Sequence, residues 1–307
     1  MQIGLVEVGP RDGLQSEPKV LPTAIKVSLV ERLTNCGIRR LEVASFVHPK
    51  RVPQMADAEA VLASLPRLPD VSYIGLVLNR QGFDRARAAH CHEVGMVVVA
   101  SETFSRRNQG VGTDESIAAW LDIARAAHAS GVRSTVTIAA AFGCPFEGEV
   151  DPNRVVEIAR RCAVGAPIEI CLADTIGVAV PTQVTDLVGR VRAAVPGVAL
   201  RAHFHNTRNT GLANAYAAVM AGVASLDASV AGIGGCPFAP AATGNIPTED
   251  LLYMLDRMAI ETGVAIAPLL DTASWLQEQM GRPLPGMLMK AGVFPRFAAP
   301  RGSPSPV

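Results

Sequence analysis

Between Ile3 and Thr262, short β-rich apolar runs alternate about eight times with segments of helical period, and no linker interrupts the series. This repeat restricts the chain to folds assembled from βα units. The expected strands are Ile3 to Val8, Arg39 to Ser45, Val71 to Leu78, Gly95 to Ser101, Ser134 to Ala140, Ile168 to Asp174, Ala199 to His205 and Ser225 to Ala231, each followed by a helix. The first helix, Thr23 to Cys36, sets Ile25, Leu29, Leu33 and Cys36 along one face and stops at Gly37. The fifth opens at Asp151-Pro152, a capping residue followed by proline at the first helical position. Gly131, Gly165, Gly197, Gly222 and Gly263 stand where a left-handed residue would return the chain to a strand. Near-continuous apolar strands without a linker favour a closed (β/α)8 TIM barrel over 1–265, with an open doubly wound sheet as the alternative. The eighth helix is expected at about Thr248 to Thr262. Residues 266–307 hold a short C-terminal extension, a helix near Pro268 to Met280 and a tail ending PRGSPSPV that reads as flexible.

Composition narrows the partners. Lys+Arg and Asp+Glu both total 28, so the formal net charge is +0 and the electrostatic footprint of a nucleic-acid or anionic-lipid binder is missing. No run of about 18 apolar residues marks a membrane span, and MQIGLVEVGPRDG has the plan of neither a secretory signal nor a transit peptide, so a cytoplasmic protein is expected. Six cysteines without a CxxC pair indicate neither a zinc ribbon nor a disulfide framework.

In a barrel of this kind the active site lies at the C-terminal ends of the strands. Strand 7 ends in Arg201-Ala202-His203-Phe204-His205-Asn206, and the two-residue period of a strand puts both imidazoles on one face. They read either as metal ligands or as two hydrogen-bonded core histidines. Arg11 and Asp12 follow strand 1, which a closed barrel places one strand away from strand 7, so Asp12 can reach the same ion. The loop after strand 8 is rich in small residues and carries Cys236 and Asn245. Two imidazoles, a carboxylate and an amide oxygen without a thiolate suit Mg²⁺ or Mn²⁺ better than structural zinc.

The motifs GPRDGLQ, SFVHPKRVPQM, GCPFEG, DTIGV, HFHN and GGCPFAPAATGNIPTED, in order from about Gln2 to Gly263, resemble those of hydroxymethylglutaryl-CoA lyase, of the metal-dependent lyase and aldolase superfamily. The resemblance implies a TIM barrel and retro-Claisen cleavage of an acyl-CoA to acetyl-CoA and a keto acid. It implies a divalent metal held by Asp12, His203, His205 and Asn245, with Arg11 stabilising the thioester enolate. His203, helped by Cys236 on the glycine loop, would protonate the enolate carbon. Glu42 is placed among the catalytic residues, and Arg11, Gln15, Ser45, Thr137, Cys171, Thr175 and Arg208 around the substrate. Barrels of this family usually assemble as homodimers or larger homo-oligomers.

The chain departs from the family where the acyl pocket is walled. After the histidines the usual Asp-Thr-Tyr-Gly-Gln is Asn206-Thr207-Arg208-Asn209-Thr210; a family tyrosine gives way to the Thr137 to Ala141 stretch, and a family serine is Cys171. Such changes admit a related lyase or aldolase acting on a different 3-hydroxy acyl-CoA or keto acid. A barrel that binds CoA or metal without turnover is the remaining alternative. Arg208 reads either as a partner for a substrate carboxylate or CoA phosphate, or as a solvated loop cation. Glu42 and Asp174 are either orienting partners or members of structural ion pairs, and Arg201 with Glu169 is expected as an interior ion pair. His90-Cys91-His92 precedes strand 4 at the opposite end of the barrel and reads as structural; His128 reads as an ordinary helical residue.

Overall fold

The strands Gly4–Glu7 (β1), Arg40–Ser45 (β2), Ser72–Val77 (β3), Glu93–Val99 (β4), Arg133–Ala139 (β5), Glu169–Asp174 (β6), Ala199–Phe204 (β7) and Ser225–Ala228 (β8) pair in parallel in chain order, and β8 returns to β1. This closed barrel is seen in a computed structural model that describes residues 1–235 and 244–294. It settles the choice left by the sequence: there is no open edge, so the sheet is not doubly wound. Around it lie helices α1 (Thr23–Asn35), α2 (Ala58–Ser64), α3 (Arg80–Ala88), α4 (Glu102–Gln109), α5 (Thr113–Ala129), α6 (Pro152–Ala163), α7 (Pro181–Ala194), α8 (Gly211–Ala221), α9 (Thr248–Arg257), α10 (Ile266–Met280) and α11 (Leu288–Ala291). The expected tail from residue 295 onward lies outside the described residues.

The two faces of the strands bury different chemistry. Leu41, Tyr73, Val94, Val136, Ile170, Leu200 and Leu226 pack in one apolar core with helix residues such as Leu29, Trp120 and Val188. The interior face instead carries charge. Arg40 sits 2.8 Å from both Glu93 and Glu169, and Arg201 pairs with Glu169 at 3.8 Å and with Asp227 at 3.3 Å. The interior ion pair expected between Arg201 and Glu169 is therefore one link of a longer chain.

That ionic floor explains why the expected fourth strand starts too late. Glu93 looks too polar to begin a buried strand, yet its carboxylate is paired with Arg40, so β4 starts there, and Ser101 is already the N-cap of α4. Two helices rather than one follow β4. β8 ends at Ala228 because Ala231 adopts a left-handed φ of 59° in a short helical turn. Among the expected left-handed glycines, Gly165 departs: Ala166 takes the positive φ of 48°, and Gly165 is small because a Cβ there would lie 2.9 Å from Trp120 Nε1.

Two buried carboxyls lie beneath the β1 and β8 loops. Glu7 accepts from the Gly9 and Val230 amides and from Thr248 Oγ1, while Glu249 accepts from the Ala231 amide. Burial pushes Glu7 up to about 7 and Glu249 up to about 8. Because the folded state holds its proton more tightly than the unfolded chain, the burial cost of Glu249 is absent below about pH 4.5, grows as pH rises and levels off above about 8. Glu249→Gln removes this titration. Its thermal midpoint should fall less than that of the natural protein between pH 6 and 9, by at least about 3 °C in a pH series of melting curves; parallel curves would reject the assignment.

Candidate active site

Directly after β1 the chain makes a five-residue π-helical turn, Gly9–Gly13, in which the amides of Arg11, Asp12 and Gly13 all point at the Val8 carbonyl. Such turns re-aim side chains. Here Arg11 and Asp12 turn toward the C-terminal mouth of the barrel. A Cβ at Gly13 would lie 2.6 Å from Ile233, so glycine there lets the chain after β8 close against the turn.

Asp12, His203 and His205 form the one group of three potential metal donors among the described residues, with one donor atom of each within 4.8 Å of the others. Asn245 is delivered to them by a short extended segment that bridges His205 on one side and, through Pro247, Ser229 on the other. Its Nδ2 donates to Asp12 Oδ2 at 2.9 Å and to the Ile233 carbonyl at 3.1 Å. Two acceptors therefore fix which way the amide faces. Asn245 Oδ1 is left buried without a partner, and so is His205 Nδ1. An unpartnered buried amide oxygen beside a carboxylate and two imidazoles is what a hard divalent cation would satisfy, so the donor set fits the ion. Gly234 completes the packing: at a φ of 103°, a Cβ on it would strike Asn245 Nδ2 at 2.7 Å.

Charge is arranged around this group. Burial opposes ionisation of Asp12, but Arg11 and the two imidazoles hold it down at about 2. Burial likewise disfavours an imidazolium at His203, yet the hydrogen bond to Asp227 and the charges of Asp227 and Asp12 raise it above the ordinary histidine value. His205 is pushed to about 3 by burial and by His203, which keeps it neutral and able to ligate. Arg11 divides its fork between Asp12, at 2.8 Å, and Glu42, at 2.5 Å. Burial pushes the Glu42 carboxyl up even against the pull of Arg11.

The remaining expected site residues fall into distinct settings. A register shift in β2 between Glu42 and Ala44 makes Glu42 a partner of Ile74 and Ser45 a partner of Leu76, so both share the interior face although three residues apart. Strict alternation would have turned Ser45 outward. Ser45 Oγ and Gln15 Oε1 are buried and unpartnered. Thr137 and Cys171 are register partners, between Val97 on β4 and Arg201 on β7. Cys171 lies 3.8 Å from Asp227, and burial raises its thiol. Thr175 is engaged with the protein itself, accepting the Ala140 amide at 2.9 Å. Arg208 is exposed but not free: its Nη1 donates to the Ile176 and Gly177 carbonyls at 3.1 and 3.0 Å, tying the loop after β7 to the loop after β6. Cys236 lies outside the described residues.

Of the two carboxylates left open, Glu42 anchors Arg11, whereas Asp174 caps the loop after β6 by accepting the Val178 and Ala179 amides. His92 Nδ1 accepts the Tyr73 amide beside the start of β4, and His128 is an exposed residue of α5. The sequence reading passed over Asp227, whose Oδ2 lies 3.2 Å from His203 Nδ1. Its signal was a carboxylate in phase with Ser225 and Ser229, on the face opposite Leu226 and Ala228.

The HMGL-like family model matches residues 2–276. The chain belongs to this family. It is 43% identical to the (R)-citramalyl-CoA lyase of Chloroflexus aurantiacus, over 97% of each chain. It is 42% identical to the hydroxymethylglutaryl-CoA lyase of Pseudomonas mevalonii, over 91% of this chain and 93% of the relative. Among solved structures, the HMG-CoA lyase of Acinetobacter baumannii in complex with coenzyme A and 3-methylmalate superposes with a TM-score of 0.91 at 37% identity, covering 99% of this chain and 98% of the other. The Pseudomonas aeruginosa hydroxymethylglutaryl-CoA lyase also gives 0.91, at 40% identity and 94% and 97% coverage. This HMGL-like protein is a carbon-carbon lyase. No helix among the described residues is long and apolar enough to cross a membrane.

Proposed function

We propose that the protein cleaves a 3-hydroxy-3-methylglutaryl-CoA-like thioester between the carbinol carbon and the carbon next to the thioester, giving acetyl-CoA and a keto acid, acetoacetate for the parent substrate. The observation that carries this reading is the meeting of Asp12, His203, His205 and the unpartnered Asn245 Oδ1 beside a half-buried, doubly anchored Arg11. Those four residues would hold the divalent ion, and their oxygen and imidazole donors favour Mg²⁺ or Mn²⁺. When bound, the ion supplies Lewis acidity that lowers the cost of ionising a substrate hydroxyl near neutral pH.

The chain's own residues account for the rest. As the carbon-carbon bond breaks, its electron pair passes to the thioester as an enolate, and Arg11, cationic throughout and fixed by Glu42, stabilises that oxygen. A proton must then reach the enolate carbon, a step that the family resemblance gives to His203 with Cys236. Gln15 and Ser45, with buried unpartnered oxygens, and Thr137 and Cys171, on adjacent interior strands, face the substrate in this reading. Assembly as a homodimer or larger homo-oligomer belongs to the same reading, and light scattering would measure it.

The relative named for (R)-citramalyl-CoA supports a second substrate of the same chemical class, in which the carboxylate sits on the carbinol carbon itself. The test is acetyl-CoA release from both thioesters by metal-loaded protein, with EDTA-treated protein as blank. Metal-dependent release from either identifies the acyl group; no release from both would overturn the cleavage reading. Arg208→Ala frees the β6 and β7 loops and removes a cation near them, so KM for the better substrate should rise about tenfold. An unchanged kcat/KM would reject a substrate role for Arg208.

A further inference from the structure

We infer that Asp227 positions His203: it takes the proton-bearing Nδ1 of the imidazole and so commits the opposite nitrogen, Nε2, to the divalent ion as a lone-pair donor. This role rests on the metal-binding reading above. Asp227 Oδ2 lies 3.2 Å from His203 Nδ1, and the residue is 5% exposed, so no water shell competes for that carboxylate. Its two oxygens are divided. Oδ1 faces Arg201 Nε at 3.3 Å, and Oδ2 faces the imidazole, with the Cys171 thiol donating to the same oxygen at a longer 3.8 Å.

A carboxylate that served only as counter-ion to Arg201 would have no reason to divide in this way, since Arg201 has a second partner in Glu169 at 3.8 Å. Glu169 is itself held by Arg40 at 2.8 Å and by Ser225 Oγ at 2.7 Å. The series Arg40, Glu169, Arg201, Asp227 therefore runs from the barrel floor to the back of His203, and each member limits the freedom of the next. An ionised carboxylate only accepts, so the imidazole must present N–H to it. In a neutral ring this leaves Nε2 unprotonated, the form that ligates a cation. His205 has no such support, its Nδ1 being buried without a partner. The two histidines of the HxH pair are thus held differently.

A consequence for the chemistry follows. An imidazole whose one proton faces Asp227 and whose lone pair is given to the ion has no proton aimed at the substrate. Protonation of the enolate carbon then falls to a group other than His203, and Cys236 is the remaining candidate from the family resemblance.

The test combines metal affinity and tautomer. Titration calorimetry with Mn²⁺ on metal-stripped natural protein and on Asp227→Asn should show affinity reduced by about 10- to 100-fold in the variant. Asp227→Glu, which keeps the carboxylate, should retain more of the affinity, and the ¹⁵N imidazole spectra of the Mg²⁺-loaded natural protein then separate orientation of the ring from a charge effect alone. Should Asp227→Asn not fold, ¹⁵N imidazole spectra of the Mg²⁺-loaded natural protein decide alone, with His203 assigned by the signal missing in His203→Gln. Protonated Nδ1 with unprotonated Nε2 supports the inference; the reverse tautomer, or Mn²⁺ affinity within about twofold of natural in Asp227→Asn, overturns it. If the natural protein itself takes up no Mn²⁺, the metal reading fails and the inference falls with it.

Discussion

Replacing Asp12 with asparagine is expected to lower Mn²⁺ affinity by at least about 100-fold and kcat by at least about 10³-fold. The side chain keeps its volume, so what is removed is one negative charge at the point where four groups meet. Asp12 pairs with Arg11 at 2.8 Å, accepts from Asn245 at 2.9 Å and lies within ligand distance of His203 and His205. Arg11 and the imidazoles hold its carboxyl at about 2 against the cost of burial, so it is ionised at every pH at which the protein would be assayed. The asparagine protein should show no recovery of activity with rising pH, because no carboxylate remains to titrate. Calorimetry with Mn²⁺, alongside acetyl-CoA release, separates two roles. Lost rate with unchanged Mn²⁺ affinity would mean that Asp12 only steers Arg11; lost affinity identifies it as a ligand.

Arg11→Gln is expected to lower kcat by about 10² to 10³ while leaving KM and Mn²⁺ affinity within a few-fold of their natural values. Arg11 is placed to act on charge that develops only as the bond breaks, which is why the effect should concentrate in kcat. Lysine should rescue little. The guanidinium fork reaches Asp12 with one nitrogen and Glu42 with the other, whereas an ammonium on a flexible stem cannot hold both carboxylates in that geometry. Glu42→Gln, which frees one arm of the fork but keeps the cation, should fall between the two. Equal losses in KM and kcat for Arg11→Gln would point instead to ground-state binding of the substrate.

How much of this was legible beforehand differs from residue to residue. The eight strands were found because their outward side chains are apolar and feed one core with the helices, a pattern that local composition carries. The barrel was favoured, but an open sheet with the same elements has the same pattern; only the pairing of β8 with β1 distinguishes them. Glu93 shows the limit from the other direction. A strand position that looks forbidden to a carboxylate is allowed because Arg40, from a strand two places away, neutralises it.

In the site, the HxH pair, Arg11 and Asp12 stood out because charged and ligating side chains directly after apolar strands are conspicuous in one dimension. Asn245 followed from its loop. Asp227, Glu7 and Glu249 did not stand out, since an isolated acidic residue in a sequence does not show whether it is solvated or buried. Nor could the register shift in β2 be read, although it decides that Ser45 shares the interior face with Glu42.

By itself, then, the sequence determined the βα order, the apolar face of every strand and the residue types able to bind a cation, because periodicity and side-chain chemistry are local properties. Tertiary structure alone decided which of those groups meet. Closing the barrel brings β1 beside β8, the π-helical turn aims Asp12 at the histidines, and the segment after β8 leaves Asn245 Oδ1 without a protein partner. Those relations depend on distances between residues more than 190 positions apart, from Asp12 to His203 and on to Asn245, and no local pattern encodes them.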